Sequence, residues 1–514
     1  MLRRWFLTAA CFGLVLAAAL GAALLAWPGV GVAASPSGVA GISLHTFSGQ
    51  VERLSVKDSD GKPVPVVLRR NTVWPRVRLA PGERLTIKVR IRRPSWIGWL
   101  VGRQEEQTMT VVTPRPHLRS TLLRPRRGSP VSVSFAEPVS RIAVGGGRLQ
   151  RLGAGRSVVP LGMRASGNSV AGTTTVAAAV RPWEKLSEPA RVAWFVPGSR
   201  TSVVAEPAAG SRLAPLAPLT LTFARPVASV LGSRLPRLEP AMPGRWAQVD
   251  SHTLTFRPAG LGLGLGGTEQ IRLPGQTLTW TVAPGSILRL QELLARLGYL
   301  PVRWRQPNGA PPTVASEVAA AMSAPDGAFS WRYPQTPGSL KALWKPGTWN
   351  VITQGAVMRF ENVHGMGTDG VAGPRVWRAL MHDDLAGRRS DAGYNYVFVH
   401  ETVPQSLSLW HNGRVTVTSP GNTGIPESPT APGTWPVFEH IPVGTMSGTN
   451  PDGTHYNDPG IRWISYFHGG DALHEFPRAS FGTPQSLGCV ELPEAAAAAV
   501  WPYTPIGTLV TIEP

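Results

Sequence analysis

The sequence contains very little cysteine. Only Cys11 and Cys489 occur in 514 residues, and Cys11 lies inside an apolar N-terminal run. Cys489 therefore has no disulfide partner on its own side of a membrane, which excludes a disulfide at this position. A lone cysteine in an exported chain is either a small core residue or a reactive thiol.

Negative charge is also scarce, and it is unevenly distributed. The chain has 51 Lys and Arg against 31 Asp and Glu, a formal net charge of +20. Residues 385–514 contain 5 Arg and no Lys against 11 Asp and Glu, so this end carries −6 and the remainder +26. A basic body predicts an anionic partner such as phospholipid headgroups or wall polymers. No recognition motif accompanies the charge, so nucleic acid is not predicted as a partner.

The N-terminus has the pattern of a membrane anchor. Arg3 and Arg4 precede an uncharged run from Trp5 to Trp27, which is long enough to span a bilayer. Arginines on this side predict an inside N-terminus and an exported body. Residues 32–34, Val-Ala-Ala before a serine, would suit signal-peptidase cleavage, but the length of the run favours a retained anchor over residues 1–35.

The next 250 residues predict β-structure, because 56 Gly and 50 Pro favour short strands and turns over long helices. Apolar residues alternate with polar ones over residues 85–91, and Phe-Ala-x-Pro-Val recurs at Phe135 and Phe223, 88 positions apart. That period suits sandwiches of immunoglobulin-like size. The apolar segment 96–100, Trp-Ile-Gly-Trp-Leu, is interpreted as a loop for which core packing is favoured over membrane contact. We predict three all-β Ig-like domains, at 36–115, 116–199 and 200–284.

A helical pattern begins after residue 285. Leu290, Leu293, Leu294 and Leu297 have the spacing of one helix face, and Gly355–Phe360 and Val376–Leu380 predict two further helices. With LQELLARLGYLP, GAVMRFE and DGVAGPRVWRAL, residues 285–385 resemble a small three-helix peptidoglycan-binding domain. The stretch from 301 to 355 is longer than usual for that family.

The segment 466–493 surrounds Cys489 with residues that suit nucleophilic chemistry. Gly488 directly precedes the sulfur, and backbone N–H groups of Gly488 and Cys489 would suit a developing oxyanion. His468 and His474 lie 21 and 15 residues upstream, and a thiol with a nearby imidazole is a common activated nucleophile. A zinc site made by these groups with His455 is disfavoured, because the spacing follows no zinc pattern and there is one thiolate.

Ser486-Leu487-Gly488-Cys489, after an upstream histidine, resembles the catalytic motif of the L,D-transpeptidases, or YkuD domains. Leu487 replaces the usual histidine of that motif, and Glu491 stands where Asn or Arg is usual. The resemblance extends almost continuously from Tyr394 to the C-terminus and implies a mainly-β catalytic domain at 392–514. The segment 446–453 is interpreted as a loop over its site.

The resemblance implies a multidomain enzyme that cross-links peptidoglycan stem peptides through a cysteine thioester. His474 is favoured over His468 as the base, because the residues that follow it fit the family register better. Gly488, Ser486, His468 and Tyr466 are the candidate oxyanion and substrate contacts. No metal or cofactor is predicted. The open alternatives are an L,D-carboxypeptidase of the same chemistry and a non-catalytic peptidoglycan-binding wall protein.

Overall fold

The computed structural model describes residue 15 and residues 29–45, 48–306 and 312–514. These residues divide into two compact units, one ending at Ala205 and including Thr222–Arg225, and one formed by Glu206–Leu221 and Pro226–Pro514. In the described ranges, no helix combines the length and apolar character needed to cross a membrane. Most of the predicted anchor lies outside the described residues.

The first unit begins with two antiparallel sheets around one core. Its strands β1–β7 span Val30–Ala34, Ala40–Leu44, Gln50–Lys57, Val66–Arg69, Thr72–Pro75, Arg84–Arg92 and Gln104–Val112, and helix α1 spans Ser95–Val101. The strand orders are β1-β2-β5-β4 and β3-β6-β7. Leu85, Ile87, Val89 and Ile91 are fully buried, as their alternation predicts.

Two predictions for this region are wrong. Residues 30–34 form strand β1, paired with β2, although the predicted anchor reached residue 35. Residues 95–101 form helix α1 rather than a loop, and Trp96 and Trp99 are exposed rather than packed in a core. Short apolar runs do not distinguish a strand from the end of a membrane segment, which explains the first error.

The region predicted as the second sandwich contains one sheet in the residues described. Strands β8–β12 span Leu122–Leu123, Pro130–Val144, Gln150–Arg164, Ala171–Ala179 and Ala190–Phe195, in the order β10-β9-β11-β12-β8. The 15-residue strands β9 and β10 pair with register shifts, and such irregularities bend a sheet. The bent sheet encloses its own core around Phe135 and Trp194.

The third β-region directly precedes the helices in the sequence. Strands β13–β20 span Val203–Glu206, Arg212–Leu213, Leu219–Phe223, Leu238–Glu239, Gly244–Asp250, Thr253–Pro258, Thr268–Leu273 and Gln276–Val282, and helix α2 spans Val227–Leu231. One sheet has the order β14-β20-β19-β16. Phe223, the counterpart of Phe135 in the sequence echo, is also fully buried on its strand. The Ig-like assignment of these β-regions stays a prediction.

The helical region has more elements than the three predicted helices. Helices α3–α7 span Ile287–Arg296, Val314–Ala320, Gly338–Ala342, Val351–Val363 and Pro374–Leu385, and strands β21 and β22 span Val302–Arg305 and Ala328–Trp331. Ser286 and Asn350 begin α3 and α6 by accepting hydrogen bonds from the N–H groups of Arg289 and Thr353. The unusually long stretch between the predicted helices contains the two-stranded sheet and two short helices.

The C-terminal region is a pair of sheets. Strands β23–β31 span Asn395–His400, Ser406–His411, Arg414–Pro420, Gly433–Pro436, Glu439–Thr449, His455–His468, Asp471–Glu475, Val490–Leu492 and Leu509–Glu513, and helix α8 spans Glu494–Val500. The strand orders are β25-β24-β23-β31-β26 and β27-β28-β29-β30. Val397 and Ile512 of the first sheet share a core with Leu473 and Val490 of the second.

The helices and the first of these sheets also share a core. Leu294 and Phe360 of the helices cluster with Tyr396, Trp410 and Leu509 of the sheet. Helix α6 comes so close to the segment before β31 that a Cβ on Gly355 would lie 2.6 Å from the carbonyl oxygen of Gly507. Residues 285–385 and 392–514, predicted as separate domains, therefore share this core, and 392–514 also has the core of its own between its two sheets.

Candidate active site

Two parallel strands bring the predicted base and nucleophile to one face of a sheet. In the β29–β30 pair, His474 is the register partner of Glu491. Alternate residues of a strand share a face, so Ala472 and His474 lie on one side of β29, and Cys489 packs against Ala472 on that side. Cys489 directly precedes β30 and is thus a diagonal neighbour of His474.

The His474 side chain is held as a neutral imidazole with one nitrogen available. It is 3% exposed, and burial lowers its pKa. Its Nδ1 lies 2.7 Å from the carbonyl oxygen of Glu475. Because a carbonyl can only accept, Nδ1 carries the proton and donates it, and Nε2 is left as a proton acceptor.

The Cys489 thiol rests in an apolar environment. The half-buried cysteine packs against a cluster that we call the thiol cluster; it consists of Ile441, Met446, Ile461, Ile464, Tyr466, Ala472 and Phe476. Sγ lies 3.6 Å from the carbonyl oxygen of Gly470 and makes no hydrogen bond to His474. Burial raises the pKa of the thiol to about 12, and the Asp471 and Glu491 carboxylates act in the same direction. The resting side chain is therefore a protonated thiol.

The turn before Cys489 is held by Ser486. The buried Ser486 Oγ donates to the carbonyl oxygen of Cys489 at 2.6 Å and accepts from the N–H of Gly488 at 3.2 Å. Gly488 has φ +116°, and a side chain there would meet the Asp471 carboxylate. The N–H of Gly488, predicted as an oxyanion donor, is thus occupied by Ser486 in this structure.

The other candidate base, His468, contacts Asp471 and Trp435. It ends strand β28, its side chain is 44% exposed, and its Nδ1 is 3.6 Å from Oδ2 of Asp471. Its ring also packs on Trp435, with 4.2 Å between the ring centres. Tyr466, by contrast, belongs to the thiol cluster, and burial raises its pKa. Tyr466 is therefore a predicted contact that lines the thiol.

Asp471 was not singled out from the sequence. Its Oδ2 accepts a hydrogen bond from the N–H of Ala431 at 3.1 Å, and its other oxygen faces Gly488. Burial raises the pKa of this carboxyl, while the Ala431 N–H and His468 lower it. The only sequence signal was an acidic residue between Gly469-Gly470 and an apolar strand.

Two arginines that could have met an acidic substrate are already paired. Arg478 binds Glu491 through Nε at 2.7 Å and Nη2 at 2.6 Å. Arg462 binds Glu475 at 3.1 Å and Glu494 at 2.5 Å. Both are therefore interpreted as parts of the scaffold around the site.

The segment over the site is a hairpin rather than a loop. Strands β27 and β28 pair from Glu439↔Tyr466 to Thr449↔His455, so Met446 is a strand residue. His455 stands at the exposed end of the hairpin, with its Nδ1 3.1 Å from Oγ1 of Thr449. Among the described residues, no group of three or more His, Cys, Asp or Glu side chains is arranged to hold a metal ion.

The two-sheet C-terminal region that contains Cys489 is the part of the chain that matches a known family model. The family model of the YkuD L,D-transpeptidase catalytic domain matches residues 394–512. The YkuD domain thus begins at Tyr394, where the resemblance in the sequence begins. No curated protein matches the chain.

Several solved structures are similar to the chain. An L,D-transpeptidase from Mycobacterium smegmatis is 14% identical over 61% of this chain and 100% of its own, with a TM-score of 0.22. L,D-transpeptidase 3 from Mycobacterium tuberculosis is 11% identical over 61% and 99%, also with a TM-score of 0.22. The catalytic domain of the E. faecium L,D-transpeptidase is 22% identical over 24% and 99%, with the same TM-score. The peptidoglycan-binding assignment of the helices stays a prediction.

Proposed function

We propose that the chain is an L,D-transpeptidase that cross-links peptidoglycan stem peptides through a thioester on Cys489. The supporting observation is the placement of Cys489 and His474 on one face of the β29–β30 pair, within the YkuD domain. Stem peptides are proposed as substrates because the family acts on peptidoglycan. No cofactor takes part in the proposed reaction.

The neutral charge state of both groups decides how the thiol is activated. Burial keeps His474 unprotonated and Cys489 protonated, so the free enzyme does not hold a thiolate–imidazolium pair. The thiol first turns from the Gly470 carbonyl oxygen toward His474. Nε2 then takes the thiol proton as sulfur attacks the amide carbonyl of the donor stem, which is general-base catalysis.

Two acyl-transfer steps complete the proposed reaction. Sulfur forms a bond to the carbonyl carbon, the carbon–nitrogen bond to the terminal D-amino acid breaks, and the imidazolium of His474 protonates the leaving amine. An amine of a second stem then attacks the thioester, loses its proton to His474, and releases the Cys489 thiol. The developing oxyanion is proposed to rest on the N–H of Cys489, joined by that of Gly488 once it leaves Ser486.

Incubating the full-length chain with disaccharide-tetrapeptide distinguishes transfer from hydrolysis. A cross-linked dimer detected by mass spectrometry, together with free D-amino acid, is the expected product. Tripeptide without dimer would show that water resolves the thioester, and the chain would then be an L,D-carboxypeptidase.

Acylation by meropenem tests the two proposed roles directly. We expect one adduct on the wild-type chain, none on Cys489→Ala, and strongly slowed formation on His474→Ala. His468→Ala is the comparison variant, because that imidazole is the other candidate base and lies 3.6 Å from Asp471. Loss of the adduct on His468→Ala, with acylation kept on His474→Ala, would make His468 the base. Wild-type chain that stays unmodified while binding peptidoglycan would favour the non-catalytic wall protein.

The location of the enzyme is a further part of this proposal. We propose that the apolar run from Trp5 to Trp27 holds the chain in the cell membrane, with the YkuD domain outside the cytoplasm at the wall. The basic N-terminal body would then face anionic lipids or wall polymers.

A further inference from the structure

Helix α1 presents two tryptophans to solvent. Trp96 is 58% exposed and Trp99 78% exposed, and three residues apart on a helix they lie on one side. Gly98 is buried on another side, where an added Cβ would lie 3.4 Å from Cγ of Arg103. The helix therefore packs through its glycine and directs its two largest side chains outward. Exposed large apolar side chains that cluster are typical of a contact surface.

The helix closes one end of the β3-β6-β7 sheet. Arg92 of β6 and Gln104 of β7 are the last register partners before it. Just beyond them, the N–H of Arg93 donates to the carbonyl oxygen of Arg103 at 3.0 Å. The Arg93 guanidinium also forms an ion pair with Glu105. These contacts fix α1 to the end of the sheet.

The N-terminal run joins the body at the same end. Gly29 donates a hydrogen bond to Oγ of Ser48 at 3.0 Å, and a Cβ on Gly29 would lie 3.8 Å from Oε1 of Glu105. Glu105, the ion-pair partner of Arg93, thus lies beside Gly29. It lies two residues, or about 7 Å, from Arg103, and four residues after Val101, where α1 ends.

This placement brings α1 close to any membrane that holds the run. A single residue, Pro28, separates Trp27 from Gly29. Three consecutive residues span at most about 7 Å, so Gly29 would lie at the bilayer surface if the run is inserted. Tryptophan is enriched at that depth, where its ring meets the acyl boundary and its N–H meets the headgroups.

The net positive charge of the unit that contains α1 favours a membrane with anionic lipids. Residues 29–205 contain 27 Lys and Arg against 9 Asp and Glu. A basic body next to a membrane is attracted by anionic headgroups. We propose that helix α1 lies in the headgroup region of an anionic membrane beside the N-terminal run, with Trp96 and Trp99 as its contacts. This proposal goes beyond the acyl-transfer function and concerns a different surface.

A fluorescent label on Ser95, the exposed first residue of α1, reports on this contact without removing either tryptophan. The full-length chain carries Ser95→Cys with Cys11→Ser and Cys489→Ala, and is reconstituted in vesicles of phosphatidylglycerol and phosphatidylcholine. The matched control is Lys62→Cys in the same background. Lys62 is 75% exposed and follows β3, whose far end at Lys57 is about 23 Å from Gln50 and hence from α1.

The expected result is a label at position 95 that is quenched by iodide at least about threefold less in vesicles than in detergent, while the label at 62 does not change. Adding Trp96→Ser and Trp99→Ser should abolish the protection at 95, although the protein still floats with the vesicles. Equal quenching at 95 and 62 in floated protein would overturn the proposal. Protection that survives the double substitution, or a chain that does not float, would also overturn it. Peptidoglycan transfer is read in a separate assay, so its failure is distinguishable.

Discussion

The pH dependence of Cys489 alkylation tests the resting state of the site. An ordinary cysteine has a pKa near 9.0, whereas burial raises that of Cys489 to about 12. A difference of three pH units lowers the thiolate fraction at neutral pH by roughly 1000-fold. Because the thiolate is the form that iodoacetamide attacks, alkylation should be slower by a similar factor than for an exposed cysteine.

The assay uses the full-length Cys11→Ser chain, with alkylation of Cys489 followed by mass spectrometry of the peptide that contains it. We expect the rate to rise about tenfold per pH unit without a plateau up to pH 10. Asp471→Asn removes a carboxylate that raises the thiol pKa, so this variant should react faster at pH 8. Free glutathione in the same tube is the internal reference.

Acylation by meropenem should follow a different pH dependence, because His474 rather than hydroxide takes the proton. The pKa of His474 is lowered from 6.5, so its neutral form persists to below that value and is lost only as pH falls through the lowered pKa. Acylation should therefore be constant from pH 8 to 6.5 and decline at lower pH. An alkylation plateau below pH 9 would refute the protonated resting thiol, and an acid limb above pH 6.5 would refute the neutral histidine.

Three further predictions concern the support of the site. Gly488→Ala should lower the free energy of unfolding by about 1–3 kcal/mol and abolish acylation, because the backbone has φ +116° and the added Cβ would clash with the Asp471 carboxylate. Gly470→Ala, where an added Cβ would meet nothing, is the control in thermal unfolding. Arg478→Met should cost about 3 kcal/mol in denaturant unfolding by stranding the buried Glu491 carboxylate, and adding Glu491→Leu should recover most of it. The C-terminal fragment that begins just before β23 should aggregate on expression, because without the helices it exposes its part of the shared core. A soluble C-terminal fragment that unfolds cooperatively would contradict this.

Local patterns predicted the individual elements better than their assembly. The alternation in residues 85–91 and the leucine spacing from Leu290 each correspond to a buried face in the structure. Periodicity shows which face of an element is buried, but it does not show which other element that face packs against. Trp410 and Tyr396 lie on strands of the C-terminal region, yet both belong to the core cluster of the helices. The shared core could not be predicted, because it depends on contacts between segments about 100 residues apart.

At the candidate site, too, the sequence predicts the local features but not the contacts between distant residues. Cys489 and its preceding glycine stand out in the sequence, because an unpaired cysteine directly after a glycine and downstream of two histidines is typical of a reactive thiol. The choice between His474 and His468 depended on family register, and the structure separates them by strand pairing and by their contacts. Asp471 was not assigned to the site, because it acts through a partner distant in sequence, Ala431. Arg478 was considered as a contact for an acidic substrate, but the structure pairs it with Glu491.

The pairing of Arg478 with Glu491 explains how an acidic residue is tolerated two positions after the nucleophile. Alternation places Glu491 on the same face as Cys489, and the register places it opposite His474. The Glu491 carboxylate raises the pKa of both groups, which favours a charged imidazole and a protonated thiol. The bidentate guanidinium offsets that charge within hydrogen-bond distance, and it independently lowers the pKa of His474. Arg478 thus opposes part of the effect of this departure from the usual Asn or Arg, while burial is the main cause that lowers the pKa of the imidazole.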